Sequence, residues 1–400
     1  MSTLKHKAWR VAVLILSLWL ASIIWLPLMH VFFTPGLEDY FAPDGLPRKT
    51  RMLAAYQMGL WTHPDSRVLE IARMRTTNAE WDFMGRTFLV LALANIGMRD
   101  PSQKTECLDI MDRIIDETLK LEAEKGQFYF LMDYAKDSPF RVQSARSLFV
   151  DGEIALMMAS RRFLEEKAAF QQPLRERIDS MIRQMEKSPM LCGESYPDEC
   201  WTFCNAVAVA AIRMSDLLDQ TDHKDFAERW LAVLKNRLLE SKTGILYSCF
   251  LLDGTTADGP EGSTIWLVAH CLQILDPAFA LDQYERAKKE LAARVLGFGY
   301  AREWPLSWKG LPDVDSGPIL PFGISAGSSG MAVLGAAAFN DREYLKQLLA
   351  SLRFGGFPVA RGGKLRFAAS NQVGDAVLLY ALVQGPLWKE VLRRMEGGAL

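Results

Sequence analysis

The most constraining feature of this sequence is a long succession of segments in which apolar residues recur at three- and four-residue steps. About twelve such segments follow one another, among them RTFLVLALANIGM, ECLDIMDRIIDETLKL, DGEIALMMASRRFLEE and CNAVAVAAIRMSDLLD. This spacing gathers the apolar side chains on one face of an α-helix. No convincing series of strands accompanies the pattern, so the sequence predicts an all-α chain.

The helical segments are of two kinds, and this difference predicts how they are arranged. Some, such as GSSGMAVLGAAAF, are apolar on nearly every side and rich in small residues, whereas others, such as DFAERWLAVLKNRLLE, carry a charged face. An inner ring of buried helices inside an outer ring of amphipathic helices satisfies both kinds. We therefore expect an (α/α)6 barrel, with helices beginning at Asp100 with Pro101 and at Asp276 with Pro277, because each pair joins a capping side chain to a proline.

The N-terminal region has a different character from the rest of the chain. Residues 11–33 contain no Asp, Glu, Lys or Arg, and this stretch exceeds the roughly 20 residues that a bilayer requires. Basic residues precede it and acidic residues follow it, which predicts an uncleaved signal anchor in the inner membrane with the N-terminus in the cytoplasm. The predicted organisation is a cytoplasmic flank (1–10), an anchor (11–33) and one extracytoplasmic barrel domain (34–400).

Charge and composition limit the partners. Lys and Arg total 46 against 48 Asp and Glu, and this balance lacks the basic footprint of a nucleic-acid-binding protein. The histidines beyond the anchor, His63, His223 and His270, lie far in sequence from the cysteine cluster, so no metal site is predicted. No cofactor is predicted either. The expected partners are the membrane and a small, apolar substrate, and assembly into a homo-oligomer is left open.

Three of the six cysteines lie close together in the stretch LCGESYPDECWTFCN. Pro197 suits a first helical position and Asp198 a first turn, so the pattern predicts a helix on which Cys200 and Cys204 share a face. A cysteine near a helix N-terminus is a candidate reactive thiol. Two alternatives stay open: both are small buried side chains, or Cys192 forms a disulfide with one of them.

The same stretch carries a family resemblance. YPDECWTFCNAVAV resembles the linalool dehydratase/isomerase family, in which a loop containing Pro-Asp leads into a helix that opens with Cys-Asn. The segments LEDYFAP, FVDGEIALMM, DPAFALDQYERAKKE and GISAGSSGMAVLGAAA follow in family order, so the resemblance covers about residues 37–390. It implies an (α/α)6 barrel with an apolar pocket. It also implies acid/base chemistry that adds or removes water at a tertiary allylic alcohol.

The resemblance also identifies candidate site residues. Cys204 and Asn205 match the Cys-Asn element, which implies a catalytic role for Cys204 and places Asn205 at the substrate. Either Cys192 or Ser195 falls where the family has its first cysteine. The family helix carries histidine after glycine, whereas this chain has Glu153 at that place.

Glu153 is therefore the second catalytic candidate. A carboxyl group that points into a dry pocket has a raised pKa and can serve as general acid or base. The alternative is a structural carboxylate paired with Arg146 or Arg161, one to two turns away. Asp65 lies only near the position of the family aspartate.

Two further segments contain candidate site residues. Asp313 and Asp315 precede a Gly/Ser-rich helix entrance, where a carboxyl group and free backbone N–H groups would meet, and Trp304 lies upstream in the same loop. Capping of the helix by these acids is the alternative. Trp266 begins another buried helix and is a candidate pocket residue, whereas His270 on that helix is expected to be a core residue.

Together these observations favour an enzyme that hydrates, dehydrates or isomerises a small alkenol or terpenoid. Cys204 would donate a proton or bind covalently, Glu153 and Asp315 would complete the acid/base set, and Cys192 is a doubtful companion. The predicted substrate-binding residues are Tyr196, Trp201, Asn205, Asp198, Trp266, Asp313 and Trp304. One alternative is a carbohydrate-active barrel with paired carboxylates, and another is a non-catalytic exported binding module.

Overall fold

Fifteen α-helices follow one another in the computed structural model, which describes residues 2–42, 45–143, 145–310 and 316–397. Their bounds are α1 Ser2–Leu28, α2 Arg48–Thr62, α3 Pro64–Arg75, α4 Ala79–Arg99, α5 Lys104–Lys125, α6 Leu148–Leu164, α7 Gln171–Met185, α8 Thr202–Asp219, α9 Lys224–Arg237, α10 Gly262–Leu272, α11 Pro277–Leu291, α12 Ala326–Ala338, α13 Arg342–Gly355, α14 Gln372–Val383 and α15 Pro386–Gly397.

Six of these helices form a closed inner ring. Each of α4, α6, α8, α10, α12 and α14 packs against the next, and α14 packs back against α4. The helices that precede them, α2 with α3, then α5, α7, α9, α11 and α13, lie outside the ring. This arrangement confirms the predicted (α/α)6 barrel.

Sequence composition explains which helices lie inside. Every residue of α6 is buried, and α10 is buried from Gly262 to Leu272 except for one partly exposed serine. The outer helices α7 and α13 alternate buried Leu, Ile and Met with exposed charged residues. Small residues let the inner helices approach closely: a Cβ atom added to Gly152 of α6 would lie 3.3 Å from the Cβ atom of Ala208 in α8.

The helix starts predicted at Asp100 and at Asp276 are both confirmed. The Asp276 carboxylate accepts a hydrogen bond from the Phe279 N–H at 3.0 Å, and Pro277 is the first residue of α11. Asp100 accepts from the Ser102 N–H at 3.1 Å and begins the 3-10 turn that leads into α5. In each case the carboxylate satisfies an N–H group that has no partner within the helix.

Short strands connect the helices, which the sequence pattern does not predict. Nine strands of two to four residues form three antiparallel sheets within the described residues. They are β1 Cys200–Trp201, β2 Cys249–Phe250 and β3 Thr256–Asp258; β4 Ala292–Val295, β5 Phe298–Ala301, β6 Ile319–Leu320 and β7 Ile324–Ser325; and β8 Pro358–Arg361 and β9 Lys364–Phe367. All three sheets belong to segments that lead from an outer helix to an inner one, so they gather at the end of the barrel where the inner helices begin. We call this end the mouth.

The opposite end of the barrel is closed by α15. This helix packs against α4, α6 and α8, and the backbone N–H of Leu387 donates to the Asn95 side chain at 3.0 Å. The Trp388 indole stacks on the His270 ring with centroids 4.8 Å apart, and its N–H donates to the His270 carbonyl at 2.9 Å. The α15 helix therefore covers the end of the barrel that lies opposite the mouth.

The N-terminal helix extends away from the barrel. The segment Lys5–Asp39 has a mean hydropathy of 2.4 over its most apolar window, and none of that window is buried. It is the one helix in the described part of the chain that is long and apolar enough to cross a membrane. The helix is compatible with a single-pass anchor or with a signal sequence.

Replacing Trp388 by alanine tests the closed end of the barrel. The variant loses the stacking on His270 and leaves a cavity at the barrel centre, so the free energy of unfolding should fall by about 3–5 kcal/mol. Leu281→Ala, which shortens a half-exposed side chain on α11, is the control and should change it by less than about 0.5 kcal/mol. Urea titration of the full chain measures both, and equal losses in the two variants would contradict the role of α15.

Candidate active site at the barrel mouth

The candidate site lies where the inner helices begin. Cys204 is in the first turn of α8, Glu80 in the first turn of α4, and Glu153 in the second turn of α6. Because neighbouring inner helices run in the same direction, their first turns lie at one level of the barrel. The segment between α7 and α8 contributes Ser195 and Tyr196 to the same level.

The Cys204 thiol is buried among groups that keep it protonated. Burial raises its pKa well above the ordinary value, and the Glu80 and Glu153 carboxyl groups raise it further. The nearby Ser195 hydroxyl acts in the opposite direction. Cys204 is therefore a neutral thiol in contact with a hydroxyl group and under the influence of two carboxyl groups.

Glu153 is a buried carboxyl group whose pKa lies near neutrality. Burial raises its pKa from 4.5 to about 7, the Thr87 hydroxyl lowers it, and the Glu80 carboxylate raises it. Although Thr87 lies close, its hydroxyl makes no hydrogen bond of regular geometry within the described residues. The two arginines that could have paired with Glu153 pair elsewhere, Arg146 with Asp151 at 2.6 Å and Arg161 with Asp112 at 2.7 Å.

Glu80 and Tyr196 form a hydrogen-bonded pair at the mouth. The Tyr196 hydroxyl donates to the Glu80 carboxylate at 2.5 Å and accepts from the Met132 N–H at 2.9 Å. Burial and the Glu80 charge raise the Tyr196 pKa, so the phenol keeps its proton. Tyr134 stacks on the Tyr196 ring with centroids 4.7 Å apart.

Sequence reasoning missed Glu80. Its position, two residues after the N-cap Asn78, is that of a common first-turn acid that favours the positive end of a helix. The side-chain amide oxygen of Asn78 accepts from the Glu80 N–H at 2.8 Å, which fits the capping interpretation. The contact with Tyr196, 116 positions away, identifies Glu80 as part of the site.

The cysteine cluster differs from the sequence prediction. α8 begins at Thr202 rather than at Pro197, because Cys200 and Trp201 form strand β1 and pair with β2. Cys200 and Cys204 therefore do not share a helix face. Cys200 lies against Cys192 instead, with the sulfur atoms 2.8 Å apart and both thiols buried.

Two predicted substrate-binding residues have structural roles at the mouth. Asn205 holds the preceding loop on α8: its side chain accepts from the Gly193 N–H at 3.0 Å and donates to the Trp201 carbonyl at 2.9 Å. Asp198 has a left-handed backbone with φ of 60° and forms an ion pair with Arg141 at 2.6 Å. These contacts account for both side chains within the mouth, and a role of either residue at a substrate stays a prediction.

The three candidate tryptophans differ in burial and in the contacts of their indole rings. Trp266 is fully buried and packs against Tyr284 and Tyr344 of two outer helices, and its role in a pocket stays a prediction. Trp201 is half-buried, and its indole N–H donates to Glu199 at 3.1 Å. Trp304 is half-buried, and its indole nitrogen has no hydrogen-bond partner within the described residues.

Some candidates lie outside the described residues. These are Asp313 and Asp315, together with the side chain of Asp65. Among the described residues, no group of three or more His, Cys, Asp or Glu side chains is arranged to hold a metal ion.

A small cavity lies inside the ring, below the mouth. Its volume is about 10 Å³, enough for one water molecule, and its lining includes Thr87, Glu153, His270, Tyr380 and Trp388. His270 is a core residue, as predicted. Its Nε2 atom lies 2.7 Å from the Tyr380 hydroxyl oxygen, and burial lowers the pKa of His270 to about 4. A molecule of alkenol size does not fit this cavity.

Glu153→Gln tests the buried carboxyl group through the pH dependence of stability. A pKa raised from 4.5 to about 7 means that the folded chain retains a proton that the unfolded chain releases, so stability is lost as pH rises from about 4.5 through 7. Glutamine mimics the protonated form and should remove that loss. Relative to the natural chain, the variant should gain up to about 3 kcal/mol between pH 4.5 and pH 8 in urea titrations.

A constant difference between variant and natural chain over this pH range would contradict the raised pKa. Asp375, whose pKa burial also raises to about 7, provides the comparison. Asp375→Asn should remove a separate loss of folding stability, which also grows as the pH rises towards 7.

Comparison with known proteins relates this geometry to a family. Three solved glycoside hydrolase family 76 structures are similar to this chain in outline. An α-mannanase from Bacteroides thetaiotaomicron has 11% identity and a TM-score of 0.47, and the match covers 78% of this chain and 87% of that chain. The α-1,6-mannanase from Salegentibacter sp. has 11% identity, coverage of 77% and 90% and a TM-score of 0.47, and its inactive variant in complex with α-1,6-mannotetrose has 10% identity, coverage of 84% and 98% and a TM-score of 0.49. A search of curated proteins gives no match.

The sequence profile described as linalool dehydratase/isomerase matches residues 151–373. This range covers more than half of the chain and includes Glu153, Ser195, Tyr196 and Cys204. The chain belongs to the linalool dehydratase/isomerase family.

Proposed function

We propose that the chain is a membrane-anchored acid/base enzyme that hydrates, dehydrates or isomerises a small, largely apolar alkenol or terpenoid. Family membership supports the reaction class. The observation that carries the proposal is the meeting of a neutral thiol, Cys204, with two carboxyl groups, Glu80 and Glu153, that act on it within the first two turns of the inner helices.

The chemistry needs a proton donor, a proton acceptor and a way to stabilise positive charge. Loss of water from a tertiary allylic alcohol begins with proton transfer to the hydroxyl group and leaves an allylic cation. Glu153 is suited to the proton transfer because a pKa near 7 gives substantial amounts of acid and base at neutral pH. The Glu80 carboxylate would stabilise the cation, because a charge acts strongly in a site of low dielectric constant.

Cys204 would supply the proton when Glu153 acts as the base: the thiol would donate a proton to the hydroxyl group, and the Glu153 carboxylate would accept the proton that the allylic cation loses. The raised pKa of Cys204 makes the thiol a weak acid but keeps it neutral, so it does not compete with Glu80 for the cation. Of the two residues that could fall at the place of the family's first cysteine, Ser195 contacts Cys204 whereas Cys192 contacts Cys200. Ser195 is therefore the residue assigned to orient the Cys204 thiol.

The N-terminal helix suits a substrate that partitions into lipid. We place the helix in the inner membrane with its N-terminus in the cytoplasm and the barrel outside, because basic residues precede the apolar span and acidic residues follow it. An apolar alcohol concentrates in the bilayer, so an enzyme held at the membrane surface meets it at a higher local concentration.

Carbohydrate chemistry is the second candidate, because Glu80 and Glu153 also have the residue types of a glycosidase pair. Such an enzyme requires an open groove with exposed aromatic platforms. Trp201 and Trp304, the nearest candidates for platforms, are half-buried. An exported binding module without catalysis is the remaining alternative.

Turnover assays with the full chain in detergent test the proposal. Tertiary alkenols and the matching dienes form one substrate panel and uronate oligosaccharides form the other, and products are identified by mass spectrometry without oxygen. We expect alkenol turnover, and Cys204→Ala and Glu153→Gln should each lower kcat by roughly 10²–10⁴-fold. Cys249→Ala and Asp375→Asn, which alter another buried thiol and another buried carboxyl group, are the matched controls and should retain activity.

Turnover of oligosaccharides alone would replace the proposal with the carbohydrate alternative. The absence of turnover on both panels would favour the binding module. Full activity in Cys204→Ala would exclude the role of the thiol.

A further inference from the structure

The Cys192 and Cys200 thiols lie within bonding reach of each other beside the candidate site. Their sulfur atoms are 2.8 Å apart, both residues are buried, and eight positions of the sequence separate them. The enclosed segment contains Ser195 and Tyr196. We propose that Cys192 and Cys200 form a disulfide bond that closes this segment, which we call the 192–200 loop, into a covalent ring. This modification is independent of the proposed catalytic activity.

The geometry selects one pair of cysteines. Cys200 lies on β1 opposite Phe250, whereas Cys249 lies opposite Trp201, one position along the strand pair. Cys204 is in the first turn of α8 and lies close to Ser195. Cys192 has two neighbours in hydrogen-bond range, the Ser188 hydroxyl at 3.1 Å and the Cys200 thiol. The bond therefore leaves Cys204 as a free thiol, which acid/base chemistry requires.

The loop is already held in the conformation that the bond needs. The buried Glu194 carboxylate accepts hydrogen bonds from the backbone N–H groups of Arg141, Val142 and Asp198, at 3.0, 2.7 and 2.7 Å. Inside the loop, the Ser195 N–H donates to the Glu199 carbonyl at 2.8 Å. Because these contacts fix both ends of the loop, joining the sulfur atoms requires little movement of the backbone.

The covalent ring would position Ser195 and Tyr196. A disulfide restricts mainly the unfolded or locally opened chain, and it raises the free energy of states in which the loop leaves the barrel. The bond would therefore keep the Ser195 hydroxyl on Cys204 and the Tyr196 hydroxyl on Glu80. These are the two contacts that the 192–200 loop makes with the candidate site.

The oxidation is an ordinary thiol–disulfide exchange. A dithiol oxidase that carries its own disulfide accepts two electrons, the two chain thiols lose two protons, and the oxidase ends as a dithiol. Since both sulfur atoms are buried in the folded barrel, exchange takes place during folding, before the loop closes. A location outside the cytoplasm supplies such oxidases.

Peptide mapping of the full chain tests this pair directly. The chain is produced in bacterial cells with an oxidising cytoplasm, so that the result does not depend on the orientation of the N-terminal helix. The protein is denatured with iodoacetamide and cut after glutamate and after aromatic residues, which cleaves at Glu194 and Glu199 between Cys192 and Cys200 and at Trp201 and Phe203 between Cys200 and Cys204. We expect the peptides that contain Cys192 and Cys200 to be joined and Cys204 to be alkylated.

A thermal measurement with matched variants gives an independent readout. Reductant should lower the Tm of the natural chain by several degrees and leave the Cys192→Ser/Cys200→Ser double variant unchanged. Cys249→Ser removes a neighbouring buried thiol and should keep the response of the natural chain. Alkylation of both Cys192 and Cys200, or a bond from either one to Cys204 or Cys249, would overturn the proposal. Loss of alkenol turnover alone would not affect it.

Discussion

The close approach of α6 and α8 is the contact on which the candidate site depends. Gly152 faces Ala208 so tightly that a methyl group at position 152 would lie 3.3 Å from the Ala208 Cβ atom. Glu153 follows Gly152, and Cys204 lies one turn before Ala208 on the same face of α8. The packing of two small residues therefore brings a carboxyl group and a thiol to one level of the ring. Larger residues would separate the helices and the two chemical groups with them.

Charged residues have two different environments in this barrel. Elsewhere on the inner helices α6 and α8, buried carboxylates pair with arginine, as Asp151 does with Arg146, and Asp219 with Arg162 at 2.7 Å. At the mouth, burial raises the pKa of Glu153 to about 7, and the Glu80 carboxylate adds a smaller contribution in the same direction. A pairing arginine stabilises the charged form of an acid, whereas burial beside a like charge favours the protonated form. This difference separates a structural acid from a candidate proton donor.

Much of the fold was predictable from local patterns. Apolar periodicity and small-residue helices led to the (α/α)6 barrel, and capping side chains placed the starts at Asp100 and Asp276, because each of these signals acts within a few residues. The start predicted at Pro197 was wrong, since pairing of β1 with a strand about fifty residues away outweighed the local helix signal. The same non-local pairing separated Cys200 from Cys204.

The candidate site was only partly predictable for the same physical reason. Glu153 and Cys204 were identified through the family pattern, and their catalytic roles stay predictions. Glu80 resembled an ordinary first-turn acid until the fold placed Tyr196 on it. Asn205 matched the family element, yet its hydrogen bonds to Gly193 and Trp201 give it a structural role. A sequence pattern identifies the residue type at a position, whereas its partner depends on packing between distant segments.

The central claim is that the barrel holds Glu153 as a carboxyl group that exchanges its proton near neutral pH. NMR titration of the full chain with ¹³C-labelled glutamate side chains, assigned by comparison with Glu153→Gln, measures this directly. The account predicts one glutamate signal that is lost in the variant and titrates near pH 7. Titration of that signal near the ordinary value of 4.5 would contradict it.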